Sequence, residues 1–304
     1  IKGNCEKFLL IIGPCSADNP NAIEEYAKKL ARVQNRVGDK IHILTRIYTQ
    51  KPRTRSQGYM GILHSPNPSE SQNLNKGIFE MRRVHLQILE NHGLTSADEL
   101  LYPDCYPYLD DIVSYFAIGA RTVESQLHRF IAGGIDAPVG MKNPISGNLT
   151  VMCNSIWSAQ QSQRFLFRGQ EVKSSGNPLA HAILRGYRRN GENCPNYGFD
   201  DLIAANRHFE DYGLANPCII VDVSHSNANR GYLGQTQAAT DIVLKRSKSD
   251  ILKRLVRGLM LESYLEDGRQ DIGEGVFGKS LTDPCLGWDK TEGFIFELYN
   301  ILTT

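Results

Sequence analysis

Eight short apolar runs, separated by longer stretches of helical character, dominate this sequence, and that alternation admits few folds. The runs predicted as strands are residues 8–13, 41–45, 94–99, 115–120, 138–141, 181–184, 218–223 and 257–261. Between them the pattern predicts helices over residues 21–37, 75–91, 124–132, 150–161, 199–211 and 235–247. In the first, Ile23, Tyr26, Leu30, Val33 and Val37 recur at steps of three and four, laying one apolar stripe along the helix. Asn19-Pro20 ahead of it and His92-Gly93 behind the second helix are start and stop signals. The third strand run is short and poor in β-branched residues, so it is the weakest of the set.

Eight strands with helical crossovers either close into a barrel or lie open as a doubly wound sheet. The residues at or just past the C-terminal end of each run separate the two cases. In chain order these are Cys15, Arg46, Glu99, Arg121, Lys142, Arg185, His225 and Glu262. An open sheet gathers its chemistry at one crevice, to which few strands contribute. A barrel brings every C-terminal end round one mouth, where such folds carry their chemistry. The predicted fold is therefore an α/β (β/α)8 barrel, one catalytic domain over residues 1–304, with no linker or internal repeat to divide it.

Composition removes several function classes. A net charge of +1 excludes nucleic-acid or membrane-surface binding through bulk electrostatics, so any anion must be held by a local cluster. No run of 18 apolar residues occurs, and Ile1-Lys2-Gly3-Asn4 lacks a signal-peptide core. The seven cysteines are scattered, odd in number and never in a CxxC pair, as expected of free thiols in a reducing compartment. A cytoplasmic protein is the expectation.

In a closed barrel Arg46, Lys51, Arg121, Lys142 and Arg185 converge. Any one of them alone reads more readily as a rim cation paired with a carboxylate. Together they repel unless an anion bearing phosphate or carboxylate sits among them, and arginine grips both groups bidentately. Cys15, His225, Glu262 and Asp283 follow the first, seventh and eighth strands and the loop beyond, which are neighbours in a barrel. As a mixed sulfur, nitrogen and oxygen set they suit a divalent ion such as manganese, iron, cobalt or zinc. Taken singly, Cys15 reads as a small buried residue and His225 as a hydrogen-bonded core histidine. Glu99, an acid among cations, either balances their charge or positions a water or proton. The other histidines, lacking such neighbours, read as structural or exposed.

The motifs Gly13-Pro14-Cys15-Ser16, Lys51-Pro52-Arg53-Thr54, Ala120-Arg121-Thr122, Lys142-Asn143, Leu184-Arg185-Gly186, Ser224-His225, Glu262-Ser263 and Leu281-Thr282-Asp283 resemble the type I 3-deoxy-D-arabino-heptulosonate 7-phosphate (DAHP) synthases. The similarity runs from about Leu9 to the C-terminus and is strongest to the microbial branch inhibited by phenylalanine, tyrosine or tryptophan. A sister family acting on arabinose 5-phosphate carries an asparagine-containing motif in place of Lys51-Pro52-Arg53-Thr54. The resemblance implies condensation of phosphoenolpyruvate with erythrose 4-phosphate, the first step of the shikimate route to aromatic amino acids. It implies metal ligands Cys15, His225, Glu262 and Asp283. With the residue reading beside it, the expected catalytic set is Lys51, as general acid, with Cys15, His225 and Glu99. Arg46, Lys51, Ala120, Arg121, Lys142 and Arg185 would bind phosphoenolpyruvate; Lys51, Pro52, Arg53, Thr54 and Asp283 would bind erythrose 4-phosphate. A homo-oligomer, dimer or tetramer, is implied as well.

The chain also departs from that pattern. It begins about a dozen residues before Gly13, and residues 165–177, which match a regulatory hairpin of that branch, are shorter. Tyr102, Tyr106 and Asp136 stand where the branch's inhibitor pocket has other residue types, so weak or absent inhibition by aromatic amino acids is expected. Residues 65–67 differ from the common loop, and residues 187–198 form a longer segment than usual. Two rival readings remain: a synthase that uses another phosphosugar aldehyde, and a non-catalytic ligand-sensing homologue. Intact ligands and cations speak against the second, because a decayed site loses its costly buried charges first.

Overall fold

The computed structural model describes residues 1–53 and 57–303. Strand β1 (Phe8–Gly13) leads through helix α1 (Pro20–Val37) to β2 (Ile41–Arg46), then α2 (Leu74–His92), β3 (Ser96–Glu99) and β4 (Val113–Ile118). Helix α3 (Gln126–Ala132), β5 (Val139–Lys142) and α4 (Leu149–Gln160) precede a hairpin of β6 (Arg164–Phe167) and β7 (Gln170–Lys173). Strand β8 (His181–Leu184) runs into a second hairpin, β9 (Tyr187–Arg189) and β10 (Glu192–Cys194), followed by α5 (Phe199–Asp211) and β11 (Ile219–Asp222). After β12 (Asn229–Tyr232) come α6 (Gly234–Ser247), α7 (Asp250–Leu255), β13 (Val256–Glu262) and α8 (Trp288–Thr303).

Strands β1, β13, β11, β8, β5, β4, β3 and β2 pair in that order, all parallel, and close into the expected barrel. Side-chain parity divides the core in two, as alternation along a strand requires. Leu10, Ile12, Phe116, Leu184, Val221 and Leu261 pack outward against the helices. Ile11, Leu44, Ala117, Ile183, Ile220 and Met260 fill the barrel itself. The predicted stripe of α1 is buried along its length, and Asn19 caps that helix by accepting from the amides of Asn21 and Ala22. Gly93 ends α2 in the left-handed conformation. Among the described residues no helix is long and apolar enough to cross a membrane.

Strand four differs from expectation: it occupies Val113–Ile118 rather than residues 115–120. Gly119 instead opens a turn whose carbonyl accepts from Thr122 and Val123, and this lifts Ala120 and Arg121 onto the rim. The third strand is shorter than predicted and the third helix starts at Gln126.

Toward its N-terminal end the barrel is plugged by a polar pair. Tyr115 lies 2.9 Å, Oη to Nε2, from fully buried His181, whose Nδ1 meets the Leu179 carbonyl at 2.8 Å. Gly140 makes the room, since a Cβ there would lie 2.2 Å from the Tyr115 hydroxyl. Burial pushes His181 down to about 4, so it stays neutral in the fold while the unfolded chain binds a proton near pH 6.5. Because the folded value is depressed, stability is full above pH 6.5 and falls as the pH drops toward 4. The loss expected from this one group is about 3 kcal/mol. Urea unfolding at pH 7.0 and 4.5 should show a smaller acid loss in His181→Gln than in the unaltered chain; equal losses would exclude His181 as the source.

Candidate active site

The C-terminal ends of the barrel strands surround a cavity of about 210 Å3. Arg46, Lys51, Glu99, Arg121, Lys142 and Arg185 line it, and Pro52, Arg53, Ala120, Ile145, His225 and Asp283 complete the wall. Thus the five cations singled out from the sequence do meet. Cys15 and Glu262 lie buried beside it, because β1 pairs with β13 in a register that sets Gly13 opposite Glu262. Thr54 lies outside the described residues.

Depth sorts the cations. Arg46 and Lys142 are almost completely buried, Arg185 is half-buried and Arg121 exposed. Lys142 Nζ sits 2.8 Å from Glu99 Oε2 and 3.8 Å from Asp222 Oδ2. Burial works to lower the Lys142 ammonium, but the charges of Glu99, Tyr48 and Asp222 outweigh it and the net shift is upward. Burial likewise works to raise Glu99, yet Lys142, with Lys51 and Arg46 behind it, holds that carboxyl below its usual range. Glu99 is consequently a carboxylate and Lys142 an ammonium at neutral pH. Arg46 donates through Nη2 to Glu262 at 3.0 Å and through Nη1 to the Pro14 carbonyl. Its guanidinium carbon lies 3.6 Å from the centre of the Tyr48 ring, and Lys142 Nζ lies 5.1 Å from the same ring. A cation close to an aromatic ring is favourable, and Tyr48 serves both of these. Burial pushes Arg185 down, and neighbouring Arg121 adds to that, as expected where an anion belongs.

Cys15, Glu262 and Asp283 each present one ligand atom within 4.8 Å of the others. His225 approaches the group with Nε2 3.9 Å from Glu262 Oε1. Its other nitrogen, Nδ1, faces Asp222 Oδ2 at 3.0 Å and Ser224 Oγ at 2.7 Å. A carboxylate behind a histidine in this way fixes its tautomer and raises its basicity toward a metal. Burial raises Asp222, but His225 by charge and hydrogen bond, then Lys142, hold it well below the usual carboxylate range. His225 itself is at φ 53, a conformation uncommon outside glycine that persists where its surroundings enforce it.

Lys51 Nζ lies 2.7 Å from Cys15 Sγ and 3.2 Å from Asp283 Oδ2, so an ammonium stands where thiol and carboxylate converge. Burial lowers Lys51, while Cys15, Asp283 and Glu262 raise it more, and it keeps its proton. The Cys15 thiol is pushed up to about 12 by burial and then by Glu262. A divalent cation reverses that balance, since a coordinating thiol loses its proton outright. A point that already gathers a positive charge between sulfur and oxygen donors, with an imidazole at its edge, fits a borderline transition metal.

Several residues support the site without having been expected to act in it. Asn143 Oδ1 accepts from the Arg185 amide at 2.9 Å and from Asn196 Nδ2 at 3.1 Å. Asn227 Nδ2 donates to the carbonyls of Leu184 and Asp222. Asp98, fully buried, accepts from the amides of Thr49 and Glu99 and meets His85 Nε2 at 3.2 Å, which fixes the segment leading to Lys51. Asp98 lies in a strand and the three asparagines in turns past strand ends, where polar residues are unremarkable in a single sequence.

The chain is similar to known proteins in both sequence and fold. The family model described as the DAHP synthetase I family matches residues 1–294. The chain is 34% identical to the Tyr-sensitive phospho-2-dehydro-3-deoxyheptonate aldolase of Escherichia coli, covering 99% of this chain and 84% of the relative. It is 36% identical to the Trp-sensitive enzyme of Enterobacter agglomerans, covering 96% and 83%. Among solved structures, the phospho-2-dehydro-3-deoxyheptonate aldolase of Francisella tularensis superposes with a TM-score of 0.91 at 31% identity, over 100% of this chain and 88% of that one.

Proposed function

The chain belongs to the DAHP synthetase I family, and from that premise we propose how its barrel mouth carries out the family's condensation. The enzyme is a transferase, a 3-deoxy-7-phosphoheptulonate synthase. It joins phosphoenolpyruvate, D-erythrose 4-phosphate and water into 3-deoxy-D-arabino-heptulosonate 7-phosphate, releasing inorganic phosphate at the start of the shikimate pathway. The observation that carries the site assignment is the meeting of clustered cations with a thiol, imidazole and carboxylate set around one small cavity.

In this reading Arg121, Lys142 and Arg185, with the Ala120 backbone, receive the phosphate of phosphoenolpyruvate, and Arg46, Lys51 and Lys142 face its carboxylate. Lys51, Pro52, Arg53, Thr54 and Asp283 hold erythrose 4-phosphate. Cys15, His225, Glu262 and Asp283 hold a divalent metal ion (manganese, iron, cobalt or zinc), which supplies Lewis-acid polarisation of the aldehyde oxygen when bound. The cations fix phosphoenolpyruvate so that its methylene carbon meets the aldehyde carbon, forming the new C–C bond. Lys51 retains its proton and stands at the metal set, so it delivers that proton to the aldehyde oxygen as this becomes a hydroxyl. Water adds to the second carbon of phosphoenolpyruvate, where positive charge develops, and Glu99, a carboxylate, orients it and accepts its proton. The resulting hemiketal expels inorganic phosphate by C–O cleavage.

Phosphate release from phosphoenolpyruvate should require erythrose 4-phosphate, fall by more than about tenfold on chelation and return with added manganese. Release that is undiminished after exhaustive chelation would remove the metal from the reading; none at all would remove the reaction. A panel of phosphosugar aldehydes in the same assay identifies the acceptor.

A further inference from the structure

The β9–β10 hairpin stands beside the mouth yet contributes no side chain to the cavity wall. Three of its contacts run to the turns behind that wall. The Arg188 amide donates to the carbonyl of Ile145 at 2.9 Å, and Ile145 lines the cavity three residues beyond Lys142. Tyr187 covers Gly147 so closely that a Cβ there would lie 2.6 Å from the ring. On the opposite side Asn193 Oδ1 accepts from Ser226 Oγ at 3.1 Å, one residue past His225.

At the base of the hairpin Asn196, 6% exposed, joins the same turns. Its Oδ1 accepts from the Gly186 amide at 2.7 Å, and its own amide donates to Asn227 Oδ1 at 2.9 Å. Its Nδ2 reaches Asn143 Oδ1, the acceptor that also holds the Arg185 amide. The turns carrying Lys142, Arg185 and His225 are thereby bonded into one unit. Loops at a barrel mouth are ordinarily its most mobile part, and a site whose donors are already aimed loses less order on binding.

We infer that the hairpin is a brace which pre-organises the phosphoenolpyruvate end of the mouth, with Asn196 as its positioning residue. Among the described residues its hydrogen bonds reach the turns of Lys142, Arg185 and His225 and not those of Pro52, Arg53 or Asp283, so the larger effect falls on phosphoenolpyruvate. This rests on the reading of the mouth given above.

Because Tyr187 pairs with Cys194, replacing residues 188–193 by Asn-Gly closes a shorter hairpin in the same register. That variant and Asn196→Ala should raise KM for phosphoenolpyruvate by about tenfold, while KM for erythrose 4-phosphate stays within about twofold and the melting temperature within a few degrees. An unchanged KM for phosphoenolpyruvate in the shortened hairpin would overturn the inference, and so would a parallel rise in both constants. Should Asn196→Ala fail to fold, the shortened hairpin decides alone. Direct titration of phosphoenolpyruvate into the unaltered chain and the variant separates the two levels. Equal affinities sink the brace, whereas failure of the unaltered chain to bind phosphoenolpyruvate sinks the reading of the mouth.

Discussion

Replacing Cys15 with alanine is expected to lower turnover by on the order of 10^3 while leaving the barrel folded. Lewis-acid assistance is worth several kcal/mol, and about 4 kcal/mol corresponds to roughly that factor. The sulfur is fully buried beside Glu262 and Asp283, and its removal takes away the sole thiol of that set. The change deletes one atom from a site framed by β1 and β13, so its cost to stability is about 1 kcal/mol. Elemental analysis for bound metal, circular dichroism and the phosphate-release assay check the three parts. A variant that turns over at the unaltered rate, indifferent to chelator, would defeat the ligand assignment. Cys15→Ser, which keeps a weaker oxygen donor, should retain some metal and some activity.

Lys142→Met is expected to damage both stability and catalysis. The ammonium is the common partner of buried Glu99 and Asp222, and methionine fills its space without its charge. Leaving buried carboxylates uncompensated costs about 3 to 5 kcal/mol. On the proposed assignment phosphoenolpyruvate would lose a contact to its phosphate and its carboxylate, so kcat/KM should fall by roughly 10^3 or more. Urea unfolding and phosphoenolpyruvate titration measure the two effects. Adding Glu99→Gln separates them: the double variant should regain part of the stability and none of the affinity. Recovery of phosphoenolpyruvate affinity in the double variant would show that Lys142 serves the fold rather than the substrate.

How far the sequence reaches is clearest at the strand ends. Cys15, Arg46, Lys142, Arg185 and Glu262 were legible because each interrupts or follows an apolar run, and closure of eight such runs leaves their tips no other destination. Period alone located α1 and α5 to within a residue. It misplaced the fourth strand by two residues, because Ala117-Ile118-Gly119-Ala120 continues the apolar run past the point where the backbone turns. The β9–β10 hairpin carried a readable mark in Asn190-Gly191, whose positive φ values of 51 and 85 are those a tight hairpin turn requires. The final helix, α8, likewise has Trp288, Thr291, Phe294, Ile295 and Leu298 at helical spacing. What no pattern could reveal is partnership across distance. Asn143, Asn196 and Asn227 are ordinary polar residues until the fold brings them together.

The Tyr115–His181 plug at the far end of the barrel has a consequence for traffic. With that end stoppered, both reactants must use a single doorway. The groups assigned to phosphoenolpyruvate include the deeply set Arg46 and Lys142, while Arg53 and Asp283 stand nearer the threshold. A sugar phosphate seated first at the threshold would bar the way inward. On those assignments phosphoenolpyruvate is expected to arrive ahead of the aldehyde, and excess aldehyde should slow the cycle by blocking the entrance.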